Sequence, residues 1–201
     1  MESESPADAH LRRAVVTVAT VNLLYFLVEA GVAHRIGSVS LFADSVDFLE
    51  DASVNFLVAV AIAWPPRRRA RVGMLLSGIL LVPALAALWT AWQKLAAPAP
   101  PEPWALTATG LGALGVNLAC AFLLARFRHE AGSLTKAAFL SARNDAFANI
   151  AIVAAGAVTL RWPSGWPDLI VGLGIACLNA TAAREVWSAA RRERASPSPT
   201  R

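Results

Sequence analysis

The sequence predicts an all-α, polytopic membrane protein with six transmembrane helices. Three observations carry that prediction. The hydrophobic fraction is 56% of 201 residues and the mean hydropathy is +0.50, against roughly 45–50% apolar residues in soluble domains. The apolar residues fall in runs long enough to cross a bilayer, which takes about 20 residues. The basic residues cluster between those runs and are unequally divided between the two ends of the resulting bundle.

Four spans are plain: Ala14–Ala33, Val72–Trp92, Trp104–Ala125 and about Pro167–Ala183, the last extended toward Ala190. Two more carry charge. Ala52–Trp64 is too short alone and recruits Val39–Asp51, with Asp44, Asp47, Glu50 and Asp51; Ala137–Leu160 contains Arg143, Asn144 and Asp145. With six crossings, one side receives Arg12, Arg13, Arg67, Arg68, Arg69, Arg71, Arg126, Arg128, Lys136, Arg191, Arg192 and Arg194; the other receives only Arg35, Lys94 and Arg161. Both termini are therefore expected in the cytoplasm of a multi-pass protein in the cell membrane. Trp92, Trp104, Trp162 and Trp166 gather at the opposite side, as an aromatic belt does.

Residues 1–11 and 191–201 read as disordered cytoplasmic tails around a helical domain at 12–190. The N-terminus lacks the short apolar core and small-residue site of a cleaved signal peptide. The formal charge of +4 sits in topological clusters, so nucleic acid is not an expected partner. Cys120 and Cys177 lie in apolar helices with no metal or redox spacing, and read as small core residues.

Chemistry concentrates in the two charged helices. An intramembrane acid costs a few kcal/mol and marks a functional site by default. Asp47 and Asp51, four apart, share a helix face, with Glu50 slightly off it. Their mutual repulsion and burial both disfavour ionisation, and a divalent cation or protons relieve both penalties. The fifth helix echoes the second: Asp51-Ala-Ser-Val-Asn55 matches Asp145-Ala-Phe-Ala-Asn149. In that alignment Asp47 falls on Ser141 and Glu50 on Asn144. Asp47, Asp51 and Asp145 then supply three carboxylates, with Ser141 or Asn144 as a neutral fourth oxygen, in the place where transporters put substrate between equivalent helices. Asp44 reads as a helix-end or interface residue. Glu29 reads as an interfacial acid or a partner of His34 or Arg35. Arg143 neutralises Glu50 or snorkels to the cytoplasm. The competing reading of the constellation is a salt-bridged structural core.

At these residues the chain resembles the cation diffusion facilitator (cation efflux) family. Gly37-Ser-Val-Ser-Leu-Phe-Ala-Asp-Ser-Val-Asp-Phe-Leu-Glu-Asp51 resembles its helix-two signature, and Ala138-Phe-Leu-Ser-Ala-Arg-Asn-Asp145 its helix-five counterpart. Asn22, Glu29, Asn117 and Trp166-Pro-Asp168 fit too. The resemblance covers about residues 12–190. It implies a secondary active transporter, a homodimer, that exports Zn²⁺ or a related divalent ion of the Zn/Mn/Fe/Co/Cd class in exchange for protons. Asp47, Asp51 and Asp145 inherit the ligand roles, and Ser141 stands where the family has a His or Asp. Such an oxygen-dominated site suits harder ions such as Mn²⁺. The chain reads as a short form without the family's cytoplasmic C-terminal domain. The alternative is a degenerate, non-transporting relative acting as a helical partner or regulatory subunit. No enzyme activity is expected, since no nucleophile–base pair lies at membrane depth; no cofactor is expected either, the metal being cargo.

Overall fold

The computed structural model describes residues 6–61, 85, 87–96, 98–125 and 132–179. Among them the chain forms six α-helices and no strand: α1 (Pro6–Ile36), α2 (Val39–Ala61), α3 (87–96), α4 (Pro103–Ala125), α5 (Gly132–Arg161) and α6 (Trp166–Asn179). Two stretches, Arg12–Ile36 and Pro103–Ala125, are long and apolar enough to cross a membrane by length and composition; Trp166–Asn179 is apolar but shorter. The acids of α2 and the charges of α5 take those helices out of that class. The Arg67–Arg71 and Arg126–Arg128 clusters, residues 180–190, most of the expected third span and the C-terminal tail lie outside the described residues.

Two boundaries differ from the sequence reading. Residues 6–11, expected in a disordered tail, continue α1. Pro6 is pre-set for a first helical position, Ala7 and Ala9 are strong helix formers, and Asp8 favours the positive end of the helix dipole. Helix α3 runs past Trp92 to residue 96, which puts Lys94 on a helix rather than in a loop.

Capping explains the junction between α1 and α2. Gly37 has φ of +63°, and the amide of Ser38 donates to the carbonyl of Ala33 at 3.0 Å, the six-to-one bond of a Schellman ending. Ser38 then caps α2, its Oγ accepting from the amide of Leu41 at 3.2 Å. Helix α4 starts similarly, with Glu102 accepting from the amides of Trp104 and Ala105 and Pro103 at the first helical position.

Helix α1 packs along α2 and α4, α4 packs along α5, and α2 meets α5 and α4. Glycines set the closest approaches. A Cβ at Gly156 of α5 would collide with the Thr107 hydroxyl of α4, and one at Gly112 of α4 with the Tyr25 hydroxyl of α1. A Cβ at Gly172 of α6 would come within 2.7 Å of the backbone at Val39 and Ser40. Small residues at such crossings are how helices associate without a hydrophobic driving force between them. Thr17, Thr20, Thr107 and Thr159 each return a hydroxyl bond to the carbonyl four residues earlier, so these hydroxyls need no partner from outside their helix.

The outer surface is apolar. Leu24, Leu27, Phe122, Phe147, Ile170 and Leu178 are all exposed, a surface that lipid solvates and water does not. Trp92, Trp104, Trp162 and Trp166 are exposed at the ends of α3, α4, α5 and α6 that meet through short loops. Cys120 is buried as expected, whereas Cys177 is exposed on the outer face of α6.

Candidate metal centre

The site is built on α2, and α2 is held by Asp168 of α6. The Asp168 carboxylate is fully buried and accepts from five donors. Oδ1 takes the hydroxyls of Ser38 and Ser40 at 2.6 and 2.7 Å and the amide of Ser40 at 3.1 Å. Oδ2 takes the amide of Val39 at 2.9 Å and Lys94 Nζ at 3.1 Å. Together with Ser38 Oγ, this satisfies the first three amides of α2, which a helix cannot satisfy itself. The Gly-Ser-x-Ser start of the helix-two motif is thus a capping device. Lys94 is buried and neutralises the carboxylate, so it is no interfacial loop cation.

With its first turn fixed, α2 presents Asp44, Asp47 and Asp51 at spacings of three and four, along one face. Asp145 of α5 lies near enough to Asp47 to interact electrostatically, as do Asp44, Glu50 and Asp51. Accessibility grades along the helix. Asp44 is sealed, while Asp47, Glu50, Asp51 and Asp145 are half-buried. Among the described residues, no three or more His, Cys, Asp or Glu side chains converge closely enough to hold a metal ion. The acids surround a shared region without forming a closed ligand shell. Ser141, Arg143 and Asn144 lie on α5, but their side chains fall outside the described residues.

The echo between α2 and α5 has a structural counterpart. Asn55 Nδ2 donates to the carbonyl of Asp51 at 2.8 Å, and Asn149 Nδ2 to the carbonyl of Asp145 at 2.8 Å. The same bond at the same offset marks the two helices as equivalent around their acids.

Two acids belong elsewhere than the sequence reading put them. Asp44 is not at a helix end or interface: it is 0% exposed and lies inside α2. Glu29 is also 0% exposed and faces Asp44, while His34 and Arg35 are exposed. Five and six residues on, at about 100° each, those two side chains point away from Glu29. Asn149 of α5 lies against Asp44 and is fully buried, as is Asn22, two turns before Glu29 on α1. The signal was present as spacing: Asn22 and Glu29 are seven apart, hence on one face of α1, and Asp44 shares the face of Asp47 and Asp51. Tyr25, on the same helix, packs against Phe48 with ring centroids 5.0 Å apart and planes tilted by 47° and donates to the carbonyl of Thr109 at 2.6 Å.

A family model for the cation efflux transmembrane domain matches residues 15–193. The chain belongs to the cation efflux family. Membership makes it a membrane protein of a metal-cation transporter family rather than of an enzyme family. No curated protein matches the chain.

Proposed function

We propose that this cation efflux protein is a six-span, proton-coupled exporter of a divalent transition-metal ion, with Asp47, Asp51 and Asp145 as ligands and Ser141 at the fourth position. The observation that carries this reading is the placement of Asp47 and Asp51 on one face of α2 with Asp145 of α5 in electrostatic reach. Three buried or half-buried carboxylates in one region repel one another, and a divalent cation or two protons relieve that repulsion equally well. Such interchangeability is what metal/proton exchange needs. The spans of α2, α3, α5 and α6 are read from the charge distribution of the loops, which also places both termini in the cytoplasm. In this reading the half-buried acids face the cytoplasmic vestibule, and the open ligand shell closes as α2 and α5 move together on the ion. An oxygen-dominated site favours Mn²⁺ and similar ions over those that prefer imidazole or thiolate. A homodimer would be held by the helices.

One observation favours the non-transporting alternative, in which the chain is a helical partner or regulatory subunit: the described acids form no closed ligand shell. Metal flux into liposomes under a pH gradient separates the two. The parent should transport at least one of Zn²⁺, Mn²⁺, Fe²⁺, Co²⁺ and Cd²⁺, with the rate tied to the proton gradient. Asp51→Asn and Asp145→Asn should each abolish it. Unchanged flux in both variants sinks the ligand assignment, and no flux of any ion by the parent favours the alternative.

A further inference from the structure

We propose that Glu29, Asp44 and Asn149 form a second divalent-cation site, made of oxygen ligands alone and separate from the Asp47, Asp51 and Asp145 centre. The imbalance of hydrogen-bonding groups around the pair motivates it. Among the described residues, both oxygens of Glu29, both of Asp44 and Asn149 Oδ1 are buried with no donor bonded to them, while Glu29 and Asp44 face each other and Asn149 lies against Asp44. Five acceptors without a donor call for positive charge, either as a proton shared between the two facing carboxyls or as a cation. Among the described residues, the Tyr25 hydroxyl is spent on Thr109 and the Ser45 hydroxyl on Phe42, while Asn149 Nδ2 bonds to Asp145 with Asp44 also in reach of its amide. Among the described residues, the other titratable groups that interact with the pair are Tyr25, Asp47 and Asp51, none of which is cationic.

Two facing carboxylates buried without compensation are costly, because the mutual repulsion adds to the loss of hydration. A divalent ion balances the two negative charges, whereas a monovalent ion leaves one uncompensated. Carboxylate and carboxamide oxygens, with no imidazole or thiolate, select the hard end of the divalent series, the Mg²⁺ and Mn²⁺ class. The three residues come from α1, α2 and α5, so the site is not an extension of one helix's acidic run. Asp44 stands one turn toward the capped end of α2 from Asp47, a rise of about 4.5 Å. The two sites share a mechanical link, since the Asn149 amide is anchored on the carbonyl of Asp145. Assigning the new site a place as a second station on the ion's path rests on the transport reading; the binding itself does not.

The test counts bound Mn²⁺ on the purified full-length chain in detergent, by equilibrium dialysis and Mn²⁺ electron paramagnetic resonance. The parent should bind two ions per chain, the Asp51→Asn/Asp145→Asn variant one, and the Glu29→Gln/Asp44→Asn variant one. Both substitutions in the last variant preserve side-chain shape and remove buried charge. Gel filtration and helical content should match the parent, and the single variants Glu29→Gln and Asp44→Asn repeat the count with less perturbation. Equal Mn²⁺ binding by the parent and Glu29→Gln/Asp44→Asn overturns the second site and leaves the pair holding protons. Loss of one ion in that variant, with none lost in Asp51→Asn/Asp145→Asn, supports the second site while refuting the ligand set of the proposed transporter.

Discussion

Lys94 Nζ of α3 lies 3.1 Å from Asp168 Oδ2 of α6, and both groups are buried at the end of the bundle where α2 begins. The pair joins three helices through one carboxylate, because Asp168 also takes the first two amides of α2 and the hydroxyls of Ser38 and Ser40. The orientation of α2, and hence of its acidic face, depends on a residue more than a hundred positions away.

Asp168→Ala should therefore destabilise the fold by about 3–5 kcal/mol, the range for breaking a buried ion pair by removing one partner. Lys94→Met removes one donor of five and keeps the aliphatic stem, so its cost should be smaller, about 1.5–3 kcal/mol. Thermal or denaturant unfolding in detergent reads both. Equal losses would mean that the capping bonds contribute nothing beyond the ion pair.

Close helix approach gives a second prediction. Gly112→Ala places a methyl group against the Tyr25 hydroxyl, which is fixed on Thr109, and overpacking of this kind costs about 1–3 kcal/mol. Tyr25→Phe removes the obstructing oxygen and its hydrogen bond. The double variant should recover most of the Gly112→Ala loss, so that the two costs are non-additive. Unfolding midpoints of the four proteins close the cycle. Additive losses would place the collision elsewhere.

The legible part of this molecule was the part governed by pattern. Runs of apolar residues located α1, α2, α4, α5 and α6, and the Asp51/Asn55 and Asp145/Asn149 echo located two acids whose backbone carbonyls accept identical asparagine bonds. Depth was not legible. Asp44 lies near the start of its helix in sequence, yet it is sealed against Glu29 of α1 and Asn149 of α5. Glu29 sits near two basic residues in sequence, but helical rotation turns it toward α2 and them toward the outside. Lys94 looked like a loop cation because its partner lies 74 residues further along the chain. In each case a contact between helices distant in sequence overrode a reading made within one segment.

The paired asparagines provide a third prediction. Asn55→Ala and Asn149→Ala each remove one side-chain bond to a backbone carbonyl that also belongs to the helix ladder, so each should cost about 1 kcal/mol of stability. Their effects on metal should diverge. Asn149→Ala also removes a proposed ligand of the Glu29 and Asp44 site, so it should lower the number of bound Mn²⁺ ions, while Asn55→Ala leaves that number unchanged. Mn²⁺ counting beside unfolding curves measures both. Loss of an ion in Asn55→Ala alone would reverse the roles assigned to α2 and α5.

Ser141 supplies the last prediction. It stands four residues before Asp145 on α5, the spacing that puts two side chains on one helix face a turn apart. A hydroxyl there adds a neutral oxygen to three carboxylates, and such a set gives no advantage to an ion that prefers imidazole. Ser141→His replaces it with a nitrogen ligand of the kind Zn²⁺ takes at tetrahedral sites. The ratio of Zn²⁺ to Mn²⁺ flux in liposomes should then rise about tenfold, equivalent to a change of about 1.4 kcal/mol in relative preference. Ser141→Ala serves as the control for volume and should leave the ratio near that of the parent. An unchanged ratio in Ser141→His, with flux still abolished by Asp145→Asn, would put position 141 outside the ligand shell and make Asn144 the next residue to substitute.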